Sequence, residues 1–227
     1  IGISMGPETH LRLPLADYQR LQGNLSGCMF VDCSALIRDL RLIKSEAEIE
    51  KTAYICDVVS DAFDNLETAL KCGMTESDIF RLFQRLCLEE GADSVPYLVG
   101  GAGAGGYGDI ISPPSDRPVQ AGDVLILDTG CMFDGYFCDF DRNFAFGRPA
   151  PEVTAAHETV WRATEAGFSA AVPGATSEDV FNAMNAVLVE GGALVKADGN
   201  DVGRMGHGLG MQLTEWPSHK PGDHTVL

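Results

Sequence analysis

Basic residues are scarce in this chain. Lys and Arg together number 16 against 33 Asp and Glu, a formal net charge of −17 over 227 residues. That balance argues against a nucleic acid or an anionic membrane as partner, since both are bound through clustered Lys and Arg. No apolar run is long enough to span a membrane, and no signal peptide is visible. No CxxC pair occurs. The seven cysteines (28, 33, 56, 72, 87, 131 and 138) are scattered, odd in number and mostly set in apolar stretches. They read as reduced thiols of a cytoplasmic protein. A dinucleotide site is also missing. Residues 100–108 contain a GxGxxG match at Gly101, Gly103 and Gly106, but residues 110–114 (IISPP) are extended and Pro-broken. The motif needs a helix N-terminus there for the pyrophosphate. These glycines are expected to let a loop turn tightly or approach a ligand. What is present, 45% hydrophobic and 22% charged residues, suits a globular protein with a good core in one domain and a fragment of a second.

Residues 1–43 carry short elements only. Residues 14–21 (PLADYQRL) suit a short helix, 29–31 a strand, and 32–42 a turn and a short helix. From Lys44 the pattern changes. Ser45 and Glu48 form a capping box, and Ile49, Ala53, Ile55, Val59, Ala62, Phe63, Leu66 and Leu70 follow a helical period that Gly73 stops. A second helix starts at Thr75 and ends at Gly91, residues 95–99 read as a strand, and two further helices occupy 151–171 and 176–190. A shift of 101 aligns Gly73 with Gly174, Thr75 with Thr176, Asp78 with Asp179, Phe80 with Phe181, Gly91 with Gly192 and Ala92 with Ala193. This predicts two similar halves, each with a helix pair and strands, and a site between them.

The stretch 123–146 (DVLILDTGCMFDGYFCDFDRNFAF) is the organising element. The apolar run 124–127 ends in Asp128, the second run 136–138 ends in Asp139, and Asp134–Gly135 between them marks a turn. Two such runs predict a hairpin that places Asp128 and Asp139, eleven positions apart, on neighbouring antiparallel strands with facing carboxylates. Paired acids at the core end of apolar strands are costly unless a cation lies between them, and a divalent metal is the usual answer. Downstream, glycines on both sides of His207 leave its imidazole uncrowded.

These pieces, DTG…DGYFCDFDR followed by GHGLG…TEWP, resemble the M24 metallopeptidase family, whose members include methionine aminopeptidase, Xaa-Pro aminopeptidase, prolidase and creatinase. The resemblance covers Lys44 to Leu227. It implies the α+β pita-bread fold, with two pseudo-symmetric halves, each a helix pair on a curved, mostly antiparallel sheet. Residues 1–43 would then be the end of a creatinase-type N-terminal domain and linker, and 44–227 a catalytic-type domain lacking its last strands. Asp128, Asp139 and His207 match the family's first three ligands to two divalent metals, Mn, Co, Zn or Fe. The family's two later Glu ligands are not reached by Leu227, so the chain is expected to be truncated at both ends and inactive as it stands. Glu215 matches the Glu of the family's H-E-x-P motif and is assigned a catalytic role. Tyr136, Asp141, Arg142, Thr214 and Trp216 are assigned to substrate binding. The family's peptidases have a second His where Thr214 stands, another near Ile111, and Ser or Thr where Asp141 stands.

The resemblance implies a metal-dependent hydrolase of a C–N bond in a dipeptide or small zwitterion, Xaa-Pro peptidase-like, cytoplasmic and homodimeric. The alternatives are an enzyme like ectoine hydrolase or dimethylsulfoniopropionate lyase, or a non-catalytic binding protein on the same scaffold.

Overall fold

The computed structural model describes residues 1–6, 9–192 and 203–227. At the N-terminus β1 (Gly2–Ile3) pairs in parallel with β2 (Val31–Asp32), and α1 (Leu15–Asn24) connects them. Then follow α2 (Ser34–Leu42), α3 (Glu46–Ala69) and α4 (Glu76–Glu90). Both long helices start on capping boxes, Ser45 with Glu48 as read from sequence and Thr75 with Asp78.

β3 (Ser94–Ala104) and β4 (Asp123–Phe133) form the longest antiparallel pair. β3 is longer than the 95–99 strand expected, and it takes in Gly100, Gly101 and Gly103, which sequence reasoning placed in a loop. The reason is close backbone approach. A Cβ on Gly100 would collide with the Ile126 carbonyl oxygen of β4, so only glycine lets the strands stay paired at that point. As expected, no helix follows the glycines.

The hairpin is present and also longer than predicted. Asp134 (φ 45°) and Gly135 (φ 82°) make its turn, β5 (Tyr136–Phe137) pairs with Met132 and Phe133, and β6 (Phe140–Ala145) returns along residues 124–129. Asp139 falls in the two-residue gap between β5 and β6 rather than on a strand. Asp128 directly opposes Asp141 instead. α5 (Pro151–Ala170) and α6 (Ser177–Glu190) pack on each other, and β7 (His207–Gly208) pairs with β8 (Glu215–Ser218). Among the described residues, no helix is long and apolar enough to cross a membrane.

The repeat extends beyond helix punctuation. Gly73 N donates to Val119 O, Val119 N to Met74 O, Glu76 N to Arg117 O and Ser77 N to Ser115 O. In the second half Gly174 N donates to Leu227 O, Leu227 N to Ala175 O, Ser177 N to Thr225 O and Glu178 N to Asp223 O. Every helix-side group moves by the same 101 positions. Ala193, the partner of Ala92 in the repeat, lies outside the described residues. The main core lies in the first half, where Ile55, Leu66, Ile79, Phe83, Leu125 and Leu127 of α3, α4 and β4 are fully buried.

Candidate active site

The apolar residues 124–127 anchor β4 in the core and carry Asp128 to the edge of an open cleft of about 940 Å³ between the two halves. Asp139, Asp141, Arg142, His207 and Thr214 line the same cleft. Asp141 pairs directly with Asp128 and so shares its face of the sheet, and Asp139, just before β6, lines the same cleft. Of the nine residues singled out from sequence, the structure brings these six together.

Their electrostatics are those of a site short of positive charge. Burial first, and then the Asp139 charge, push the Asp128 carboxyl up to about 6, against the opposing hydrogen bond from Tyr97. Asp141 is raised as well, by the protein packed around its carboxyl and by the Asp139 charge. His207 Nε2 lies 3.2 Å from Asp139 Oδ2, and its Nδ1 lies 2.9 Å from Gly208 O. Both contacts can be satisfied at once only by a ring that donates from both nitrogens. The Asp139 contact accordingly raises the pKa of His207.

Three functional assignments go elsewhere. Tyr136 donates its hydroxyl to Glu48 Oε1 at 2.7 Å and lies under Lys51, on the far side of the hairpin tip. Trp216 lies under the Arg38 guanidinium, 5.4 Å from its ring centre, in a separate cavity against the N-terminal segment. Glu215 is buried in that direction too, beside Arg41 and Lys44. None of the three lines the cleft that holds Asp128 and Asp139, so the structure gives no support to a catalytic Glu215 or to substrate contacts from Tyr136 and Trp216 there.

Sequence reasoning missed three cleft residues. Tyr97 on β3 donates its hydroxyl to Asp128 Oδ2 at 3.1 Å, and burial plus that carboxylate push its phenol up to about 12. Its signal was an aromatic three residues before the glycine run, on the strand next to β4. Arg204 directs Nη2 to the Thr214 hydroxyl at 3.4 Å, and its place three residues before His207 was the available hint. His157 faces the cleft from α5, and nothing in its helical context marks it.

Two carboxylates and an imidazole on one cleft suit a transition-metal cation. Among the described residues, however, no three His, Cys, Asp or Glu side chains converge into a cluster that would enclose an ion. Asp139 and His207 instead satisfy each other, and Tyr97 takes one Asp128 oxygen. The donor chemistry fits a metal, but the set is incomplete.

A model of metallopeptidase family M24 matches residues 50–227. The chain is 31% identical over 222 residues to the probable dipeptidase PepE of Mycobacterium tuberculosis, covering 97% of this chain and 56% of the relative. It is 30% identical over 219 residues to an Xaa-Pro dipeptidase of Lactobacillus helveticus, covering 95% of this chain and 58% of the relative. It thus spans little more than half the length of these relatives. Among solved structures, it resembles dipeptidase PepE from Mycobacterium ulcerans, with TM-score 0.83 and 28% identity over 95% of this chain and 57% of that one. The fold is the pita-bread α+β arrangement.

Proposed function

This chain belongs to metallopeptidase family M24, and from that premise we propose that it forms most of the catalytic half of a metal-dependent hydrolase acting on the C–N bond of a dipeptide, Xaa-Pro dipeptidase-like. The observation that carries this reading is the convergence of Asp128, Asp139, Asp141 and His207 on one open cleft. In this reading residues 1–43 are the end of an N-terminal domain and 44–227 the catalytic-type domain. In the full natural protein Asp128, Asp139 and His207 would be three of the ligands to two divalent ions, of Mn, Co, Zn or Fe. When bound, such a pair supplies Lewis acidity toward the amide carbonyl and a more acidic water.

The chain's own residues bind and orient. Tyr97 fixes one oxygen of Asp128 through its hydroxyl and so sets which lone pairs face the cleft. Asp141, held by Asn143 Nδ2 at 3.3 Å, offers a negative charge to a substrate amine, and Arg142 offers a positive one to its carboxylate. Thr214 presents a hydroxyl that hydrogen-bonds without exchanging a proton near neutral pH. The proposed setting is the cytoplasm, which suits seven free thiols, and the proposed assembly is a homodimer.

Metal analysis and Xaa-Pro dipeptide assays on the full natural protein test this. Asp128→Asn is expected to abolish stoichiometric metal and turnover together. Tyr97→Phe is expected to weaken metal affinity by roughly 10–100-fold. Full metal content in Asp128→Asn would remove the ligand assignment.

A further inference from the structure

Glu215 heads β8 with 8% of its surface exposed. Arg41 Nη2 lies 3.6 Å from its Oε1 and Lys44 Nζ 3.3 Å from its Oε2. Those two cations flank the short connection between α2 and α3. From the other side, Gln212 N donates to Oε1 at 3.1 Å. Gly210 packs so tightly that a Cβ there would sit 2.9 Å from Oε2. The Gly210 carbonyl in turn accepts from Phe137 N at the hairpin tip, at 2.8 Å. Between these fixed points the chain delivers Leu213 and Thr214 to the cleft. Leu213 lies over Gly130, where any Cβ would collide with its Cδ1, and the hairpin register carried through from β5 to β6 sets Gly130 opposite Asp139. A buried carboxylate with two cationic partners and a backbone donor has one place to be. A five-residue loop tied to it has little freedom left.

We propose that Glu215 is a positioning residue, an ionic clasp that joins the α2–α3 connection to the 210–214 loop and thereby holds Leu213 and Thr214 against the cleft beside Asp139. The clasp stands on its own geometry. Its effect on turnover rests on the peptidase reading above.

Two variants approach it from opposite sides: Glu215→Gln, and Arg41→Gln combined with Lys44→Gln. Each is assayed in the full natural protein for metal content and for kcat and KM on a dipeptide. Each is also examined for Trp216 emission in a background in which every other tryptophan of the protein, Trp161 among them, is replaced by Phe. Both are expected to raise KM about tenfold with kcat changed less than about threefold, as loss of positioning without loss of chemistry should do. Metal content should not change, and Trp216 emission should shift to the red as its contact with Arg38 loosens. The proposal is overturned if Glu215→Gln depletes metal or collapses kcat while the double variant behaves like wild type, since Glu215 would then act directly. It is equally overturned if neither variant moves KM or Trp216 emission. If Glu215→Gln fails to fold, the double variant decides. A protein that cleaves no peptide but shows the emission shift supports the clasp and removes only the peptidase reading.

Discussion

The two helix pairs share one backbone grammar and differ in what holds them. In the first half, Glu76 is buried on α4 and accepts from Ala102 N, Ser115 N and Ser115 Oγ, tying the helix start to β3 and to the segment before β4. Its repeat partner is Ser177, fully buried, whose hydroxyl has no hydrogen-bond partner among the described residues. The acid has moved one place on, to Glu178, where it accepts from Gly222 N in an exposed setting. The same contrast runs through the apolar contacts. Phe83 on α4 is fully buried and stacks on Phe63, with ring centres 4.4 Å apart. Its counterpart Met184 on α6 is half-buried and packs against Gly167. Backbone pairing is thus repeated faithfully, while the side chains that tighten it are concentrated in the half that carries Asp128 and Asp139. A site made of mutually repelling acids needs a rigid scaffold on at least one side.

The sharpest way to break this comparison is Phe83→Ala against Met184→Ala at equivalent positions. Phe83→Ala should cost about 3–5 kcal/mol and Met184→Ala roughly 1–2 kcal/mol, because Met184 already forfeits much of its burial. Denaturant midpoints at equal m-values measure both, and equal losses would mean that the halves are equally packed.

A smaller contrast is Glu76→Gln against Ser177→Ala. The first weakens a buried acceptor serving three donors and should cost about 1–3 kcal/mol, while the second removes an unpaired hydroxyl and should stay within about 0.5 kcal/mol of wild type or stabilise. A larger loss for Ser177→Ala would show that its hydroxyl has a partner after all.

The smallest effect is confined to acid. Asp123 is buried at the start of β4, and the Arg117 guanidinium holds its carboxyl below the ordinary Asp value of 3.8. A depressed folded value stabilises above the unfolded value, and that stability is lost as pH falls toward the folded one. Thermal unfolding between pH 5 and pH 2 should therefore be less steep for Asp123→Asn than for wild type, with little change in slope above pH 5. The second half's His224–Glu178 contact, 3.2 Å with His224 73% exposed, should contribute little to stability, so that His224→Ala unfolds close to wild type.

The sequence by itself determined whatever depends on neighbours within a turn or two. Capping residues three apart define where α3, α4 and α6 begin, because the hydrogen bonds they make are local. Asp134–Gly135 defines the hairpin turn, although the acid directly opposite Asp128 is Asp141 and not the expected Asp139. Only the tertiary structure decided the direction of side chains whose partners are far away in the chain. Glu215, Trp216 and Tyr136 stand in or beside motifs that read as active-site positions, yet each is taken up by a cation or acid from residues 38–51. Lys44 and Glu215 are 171 positions apart, and no local pattern encodes that meeting. The glycine run was misplaced in a loop for the same reason, since what demands glycine at Gly100 is the Ile126 carbonyl of another strand. Tyr97, His157 and Arg204 reach the cleft from three separate parts of the chain, and their assembly is a property of how the halves pack, which periodicity along one segment does not contain.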